Sequence, residues 1–262
     1  MKVSIVTTVR NAEKTIHQNI SSVNSQTFED WEHIIVDGLS TDGTTNVVNS
    51  MQSDPRRLMI SEPDSGPLEG MNKGVGLASG AIIGFLNADD VFFDSTSLQR
   101  IVDAFGDPEV YGCYGDLEYT DKYDLEKTLR IWSMGKYSST KLMFGWTAAH
   151  PTFYVRATVF DEIGGFDPFY YLQSDFEFVV RFFYKYEYSA VYIDEPLIKM
   201  RSGGISNGSF RNIVLQNIYN YRALKYHGAP VSFLYPFIRI VSRVNQFLKV
   251  KIRKQSCEKQ RT

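Results

Sequence analysis

Two cysteines, Cys113 and Cys257, are all that the 262 residues contain. So few thiols, so far apart, exclude a disulfide framework and a cysteine-rich metal knuckle, and they read as reduced side chains. No stretch of about 18 uncharged apolar residues occurs, which argues against a membrane-spanning helix. The longest apolar run, Val231–Ile238, stops at Arg239. The chain starts Met1-Lys2-Val3-Ser4-Ile5-Val6 and enters a strand-like segment at once, without the apolar core of a secretory leader. Neither a G-x-G-x-x-G nor a Walker A pattern is present, so dinucleotide and P-loop readings are disfavoured. There is no internal repeat and no linker-like stretch. The formal net charge of −2 is not that of a nucleic-acid binder. What the chain does hold is ordinary core material, 43% hydrophobic and 22% charged residues, which excludes disordered and low-complexity classes.

The small net charge hides an asymmetry. The segment Lys225–Thr262 carries nine Lys or Arg and one acid, Glu258, for a charge of +8, leaving −10 on the rest. An acidic body with a basic tail implies an anionic partner at one end.

Val3–Val9 is a β-branched run that predicts a buried parallel strand. Ala12–Val23 has helical spacing in Ala12, Ile16, Ile20 and Val23. Strands follow at Trp31–Val36, Leu58–Ser61 and Ala81–Leu86. Helices are predicted over Thr41–Met51, Pro67–Ala78 and Ser95–Phe105, with Thr41 or Asp42 and Ser95 as caps and Pro67 near a helix start. Strand and helix thus alternate, which predicts βαβ units and a parallel sheet whose ligands bind at the carboxyl ends of its strands. The second half reads as shorter strands at Val110–Leu117, Glu118–Tyr123, Lys127–Trp132, Thr152–Val155, Tyr188–Ile193 and Leu197–Arg201. Helices are expected over Ser174–Tyr186 and Asn207–Tyr226.

Three of the first-half strands end in polar residues: Thr8, Asp37 and Asp89-Asp90. Adjacent acids in a sheet crevice repel, and burial penalises each. A divalent cation resolves that conflict, and Mg²⁺ or Mn²⁺ favours one or two carboxylates plus phosphate oxygens. A solvated turn accommodates two acids equally well. Asp37-Gly38-Leu39-Ser40-Thr41-Asp42-Gly43-Thr44 offers a strand-end carboxylate, two glycines for close backbone approach and the free N–H groups of a helix start. A turn with capping residues has the same composition. Lys73 is either a phosphate contact or an exposed helix lysine.

Val3–Asn11, Asp37–Thr44, Glu62–Gly80 with Met71-Asn72-Lys73-Gly74, and Asn87–Asp90 together resemble the nucleotide-sugar-binding half of family-two glycosyltransferases of the GT-A fold. The resemblance continues through His150–Arg156, Gly164-Gly165-Phe166-Asp167 and Ser174-Asp175-Phe176-Glu177, covering about Lys2 to Ser206. It implies a single α/β, Rossmann-like GT-A domain over 1–227, with a mostly parallel central sheet flanked by helices. The nucleotide-sugar half would be 1–106, the acceptor half 107–227, and 228–262 a basic amphipathic tail. By the same resemblance Thr8, Asp37, Asp64, Asn72, Lys73 and Asp89 bind the nucleotide-sugar, Asp90 is the direct ligand to Mn²⁺ or Mg²⁺, and Asp175 is the catalytic base. The acid that usually precedes that base is replaced by Ser174, and an arginine of some members is Met71. His150 and Arg201 are secondary candidates. The loop Arg201–Ser206 resembles one that covers the diphosphate.

The implied activity is metal-dependent, inverting transfer of a sugar from a nucleotide-diphospho-sugar, a UDP-sugar favoured, to a saccharide or lipid-linked acceptor in bacterial surface-polysaccharide biosynthesis. The alternatives are a nucleotidyltransferase acting on sugar phosphates and a non-catalytic nucleotide-sugar-binding protein. Trp132, Trp146, Phe169, Tyr170 and Tyr171 are either sugar platforms or core. Glu177 reads as a surface acid, and His17 and His33 carry no functional signal. In the tail Phe237, Val241, Val244, Leu248 and Ile252 share one helical stripe, with Arg239, Arg243, Arg253 and Lys254 opposite. That is the pattern of an interfacial helix on anionic lipid, or of a packed helix with a solvated basic face. The resulting expectation is a cytoplasmic protein, peripheral at the inner face of the cell membrane.

Overall fold

The computed structural model describes residues 1–51, 54–203 and 210–233, together with 235, 236 and 239. The first strand, β1 (Val3–Val9), is buried at six of seven positions, as its β-branched run demands. Helix α1 (Ile16–Asn24) lays Ile16, Ile20 and Val23 on the sheet. It starts later than the Ala12 expected, because the Ala12 and Glu13 amides donate to Thr44 Oγ1 and Asp42 Oδ2 instead of entering a helix. Then come β2 (Trp31–Asp37), α2 (Thr44–Ser50), β3 (Arg57–Ser61), α3 (Pro67–Leu77) and β4 (Ile82–Phe85). Helix α2 starts after Asp42, whose carboxylate accepts the Thr44 N–H, while the Thr41 N–H donates to Asn11 Oδ1 across the loop.

The second half adds β5 (Val91–Phe92), α4 (Ser97–Asp103), β6 (Gly112–Thr120), β7 (Thr128–Trp132), α5 (Ser139–Met143), β8 (Tyr154–Arg156), α6 (Ala157–Ile163), α7 (Ser174–Val180), β9 (Ala190–Arg201) and α8 (Phe210–Tyr226). Four expectations are corrected here. The two strands expected over Val110–Tyr123 are one, β6 (Gly112–Thr120), in which Glu118 is buried and accepts from Thr128 Oγ1 of the β7 hairpin partner. Tyr188–Arg201 likewise yields one strand, and the Asp194-Glu195-Pro196 interruption is a bulge opposite Asp116. His150–Thr152 is a 3₁₀ turn around Pro151 and delays β8 to Tyr154. Beyond Val180 the helix widens into a π turn over Arg181–Lys185, closed by Tyr186 N–H donating to the Arg181 carbonyl at 3.0 Å.

The sheet order is β3-β2-β1-β4-β8-β6-β9-β5, with β7 on β6. The first four strands pair in parallel; β8 is antiparallel to both β4 and β6, and β6 is parallel to β9. β1, β2, β3, β4, β6 and β9 therefore run the same way, and their carboxyl ends open on one edge. One large apolar cluster lies on the sheet, and a second joins α7 and α8 through Phe176, Val180, Ala223 and Leu224. Ala229 and Tyr235 belong to that second cluster, and Arg239 is 3% exposed with its guanidinium over the Phe176 ring. The folded body thus extends past 227, and Arg239 is not on a solvated face. Phe237, Val241, Val244, Leu248, Ile252, Arg243, Arg253 and Lys254 lie outside the described residues. Among the described residues no helix is long and apolar enough to cross a membrane.

Candidate functional site

Parallel strands end in a crevice where backbone amides and the side chains of the following loops converge. Asp37 ends β2 there. It is fully buried, and its carboxylate accepts from the Ser40 N–H, from Ser40 Oγ and, at 2.6 Å, from Ser61 Oγ. Five hydrogen bonds stitch Asn11, Ala12 and Glu13 after β1 to Ser40, Thr41, Asp42 and Thr44 after β2. Asp64 leans into the same place: a β-carbon on Gly38 would stand 2.6 Å from its Oδ2, and one on Gly70 would stand 2.9 Å from Thr8 Cγ2. Thr8, Asp37, Gly38 and Asp64 are thus gathered at one place, and a side chain at 38 would displace the Asp64 carboxylate from where it stands.

Asp89 and Asp90 follow β4 and differ sharply. Asp89 is exposed, whereas Asp90 is 1% exposed. The Asp90 carboxylate accepts from Asn87 Nδ2 at 2.7 Å and from the Arg201 N–H at 3.2 Å. Burial first, and then the Asp89 charge beside it, pushes its pKa well above the usual carboxylate range. An anion held in such surroundings calls for a cation. Arg201, at the end of β9, spends its guanidinium on the Asp89 carbonyl, the Lys122 carbonyl and Gln18 Oε1. It braces the acidic turn from below, and its main-chain N–H holds Asp90. Among the described residues no group of three or more His, Cys, Asp or Glu could hold a metal. The two acids fit a hard divalent ion that completes its shell with phosphate oxygens and water, the habit of Mg²⁺ and Mn²⁺.

Two residues expected in the nucleotide-sugar pocket are engaged elsewhere. The three donors of the Lys73 ammonium meet Glu62 at 3.0 Å, Glu69 at 3.0 Å and the Pro63 carbonyl at 2.7 Å. All three ammonium donors are thus occupied within the protein. The Asn72 amide pairs with the backbone of Phe166, donating to its carbonyl and accepting from its N–H, both at 2.9 Å.

Asp175 lies in the first turn of α7 and is exposed; its Oδ1 accepts the Phe176 N–H. Asp175 and His150 line one small recess with Phe85, Phe166 and Phe178. The His150 ring stacks on Phe85, with centroids 4.9 Å apart, and its buried Nε2 has no hydrogen-bond partner among the described residues. Burial lowers the His150 pKa and the Asp175 charge opposes that shift, so the ring is neutral near pH 7. Phe169 and Tyr171, beside this recess in sequence, are 62% and 59% exposed, whereas Tyr170 is buried. Trp146 packs on Tyr114, Tyr137 and Phe183, and Trp132 stacks on Tyr119.

Glu177 is not a surface acid. It is 2% exposed and pairs with Arg181 and with His227 Nε2, each at 2.7 Å. Sequence reasoning missed this trio. The i,i+4 spacing of Glu177 and Arg181 was the available signal; the approach of His227, from the end of α8, had none. The serines that hold Asp37 were also missed, because Ser61 reaches it only through the pairing of β3 with β2.

The glycosyl transferase family 2 model matches residues 4–163, more than half of the chain, and stops short of Asp175. A PGL/p-HBAD biosynthesis glycosyltransferase of Mycobacterium bovis is 30% identical over 182 residues, covering 69% of each chain. The putative teichuronic acid biosynthesis glycosyltransferase TuaG of Bacillus subtilis is 36% identical over 34% of this chain and 36% of its own. Among solved structures, S. aureus TarS in complex with UDP-GlcNAc superposes with a TM-score of 0.63 at 15% identity, over 91% of this chain and 70% of that one. A mannosyltransferase from Pyrobaculum calidifontis, in complex with GDP-Man and Mn²⁺, gives 0.62 at 15%, over 94% and 80%. The fold is therefore GT-A, a glycosyltransferase reading replaces the nucleotidyltransferase and non-catalytic alternatives, and the chain belongs to glycosyl transferase family 2.

Proposed function

We propose that this glycosyltransferase moves a sugar, by single displacement with inversion, from a nucleotide-diphospho-sugar to a hydroxyl of a saccharide or lipid-linked acceptor in surface-polysaccharide biosynthesis. The observation that carries the reading is the division of acids: Asp37, Asp64, Asp89 and Asp90 gather where the parallel strands end, and Asp175 stands exposed on a recess shared with His150. Thr8 and Asp37 would contact the base and ribose, Asp64 and Asp89 would line the donor site beside them, and Asp90 with Asp89 would hold Mn²⁺ or Mg²⁺. When bound, the ion supplies Lewis-acid stabilisation of the charge that develops on the departing nucleoside diphosphate. Asp175 removes the proton of the attacking acceptor hydroxyl as general base. Glu177, the other acid of that helix, is buried and ion-paired, so it is no candidate nucleophile, and one accessible base suits direct displacement. His150, neutral and with a buried Nε2 that has no partner among the described residues, would hold a sugar hydroxyl near Asp175.

The structural neighbours bound to UDP-GlcNAc and to GDP-Man support a nucleoside-diphosphate donor, with UDP favoured. The biosynthetic names of the two bacterial relatives support an envelope glycan as product. The +8 segment supports attachment to an anionic membrane surface, on the cytoplasmic side where nucleotide-sugars are made. The test is calorimetric titration with UDP-, GDP- and dTDP-sugars, with and without Mn²⁺. Metal-dependent binding of at least one is expected, and no binding by any refutes the reading. Asp175→Asn should keep that binding and lose transfer by about 10²–10⁴-fold.

A further inference from the structure

The turn Gly164-Gly165-Phe166 connects α6 to the segment that delivers Asp175. It is gripped from two sides. From the nucleotide-sugar half, Asn72 on α3 makes its two 2.9 Å hydrogen bonds with the backbone of Phe166. The contact is so close that a β-carbon on Gly165 would stand 2.4 Å from Asn72 Oδ1. From the other side, the Arg181 guanidinium donates to the carbonyls of Ile163 at 2.5 Å, Gly164 at 3.3 Å and Gly165 at 2.6 Å. Arg181 is fixed in turn by Glu177 at 2.7 and 2.8 Å, and Glu177 by His227. Downstream, Ser174 Oγ donates to the Asp167 carbonyl at 2.5 Å, which ties the start of α7 back to the end of the turn. Phe166 itself packs edge-on against His150 and Phe85 at 5.5 and 5.1 Å, so the turn also forms a wall of the recess that holds Asp175.

We infer that Asn72 and Arg181 are positioning residues: together they clamp the Gly164–Phe166 turn between α3 and α7 and so set the place of Asp175 relative to the nucleotide-sugar cleft. Asn72 therefore acts on the reaction through the turn and touches no donor atom. A neutral amide suits this work, since it donates and accepts at once; a carboxylate in its place would face the Phe166 carbonyl with no proton to offer. Arginine suits the other side, because its rigid fork reaches three carbonyls that a lysine cannot satisfy together.

Because Asp175 is taken as the base, as proposed above, the experiment separates the clamp from that assignment. Asn72→Ala, Asn72→Asp and Arg181→Lys are compared with the unaltered protein by amide hydrogen exchange, by UDP and GDP titration with Mn²⁺, and by nucleotide release from UDP-GlcNAc and GDP-mannose. Exchange at Phe166 should rise about tenfold or more in Asn72→Ala and Arg181→Lys, and exchange in the first turn of α7 should rise with it. Nucleotide affinity should stay within about twofold. Turnover at saturating donor should fall by about a hundredfold, the cost of an ångström-scale misplacement. Asn72→Asp keeps side-chain volume and one hydrogen bond, so it reads the same split should the alanine variant fail to fold. A tenfold loss of affinity in either Asn72 variant returns that side chain to the donor pocket and overturns the inference. Unchanged exchange at Phe166 overturns it too, as does unchanged turnover. Full activity in Asp175→Asn removes the base assignment and leaves the exchange result standing, and absence of UDP or GDP binding by the unaltered protein refutes the donor reading alone.

Discussion

Acid should loosen this protein through one histidine. His33 lies on β2, fully buried, directly across from Arg57 on β3. Thr7 Oγ1 donates its single proton to the Leu86 carbonyl at 2.8 Å, so at 3.0 Å from His33 Nε2 it accepts, and the ring is the neutral Nε2–H tautomer. Burial, and then the Arg57 charge, pushes the His33 pKa down to about 3. In the unfolded chain the ring titrates near its ordinary value of about 6.5. Between those two values the unfolded state binds a proton that the folded state refuses, so stability falls as pH drops below about 6.5. At pH 5 the penalty is roughly 1.5 pH units, about 2 kcal/mol. The assay is urea denaturation of the unaltered protein and of His33→Gln at pH 7.5 and pH 5.0. Glutamine keeps a donor for Thr7 and does not titrate. The loss between the two pH values should be about 2 kcal/mol larger in the unaltered protein. Equal losses would refute the account, since carboxylates and the other histidines contribute alike to both. The consequence reaches function: Thr7 joins β1 to Leu86, immediately before Asn87–Asp90.

Asp90→Asn should abolish the effect of Mn²⁺ on nucleotide affinity, measured by calorimetry, while leaving the fold intact; a retained metal effect would move the ligand role to Asp89. Glu177→Ala should cost about 3–5 kcal/mol by chemical denaturation, because Arg181 and His227 lose their buried partner, and a cost under about 1 kcal/mol would mean that the trio is solvated. Deleting residues 241–262 keeps Tyr235 and Arg239, which are packed on the body, and should release the protein from phosphatidylserine vesicles in a co-sedimentation assay. Pelleting that survives the deletion would end the lipid reading of the tail.

What the sequence determined by itself is the part written in local pattern. Apolar runs of strand length, helical spacing between them and acids at the strand exits were enough to predict the parallel first half and to mark Thr8, Asp37, Asp89 and Asp90 as neighbours, because every parallel strand delivers its carboxyl end to the same edge. The exact helix starts after β1 and β2 escaped, since the amides of Ala12, Glu13 and Thr41 bond across loops rather than along the chain. The tertiary structure alone decided which polar groups remain free. Lys73 and Asn72 read as donor contacts, yet folding commits one to Glu62, Glu69 and Pro63 and the other to Phe166. Glu177 reads as surface, yet the return of α8 brings His227 onto it. The i,i+4 pairing of Lys73 with Glu69 is a local signal, but Asn72 and Glu177 are claimed by partners 94 and 50 residues away. Periodicity reports which face of an element is apolar and carries no information about such partners, which decide whether a polar side chain is left for a ligand or spent on the fold.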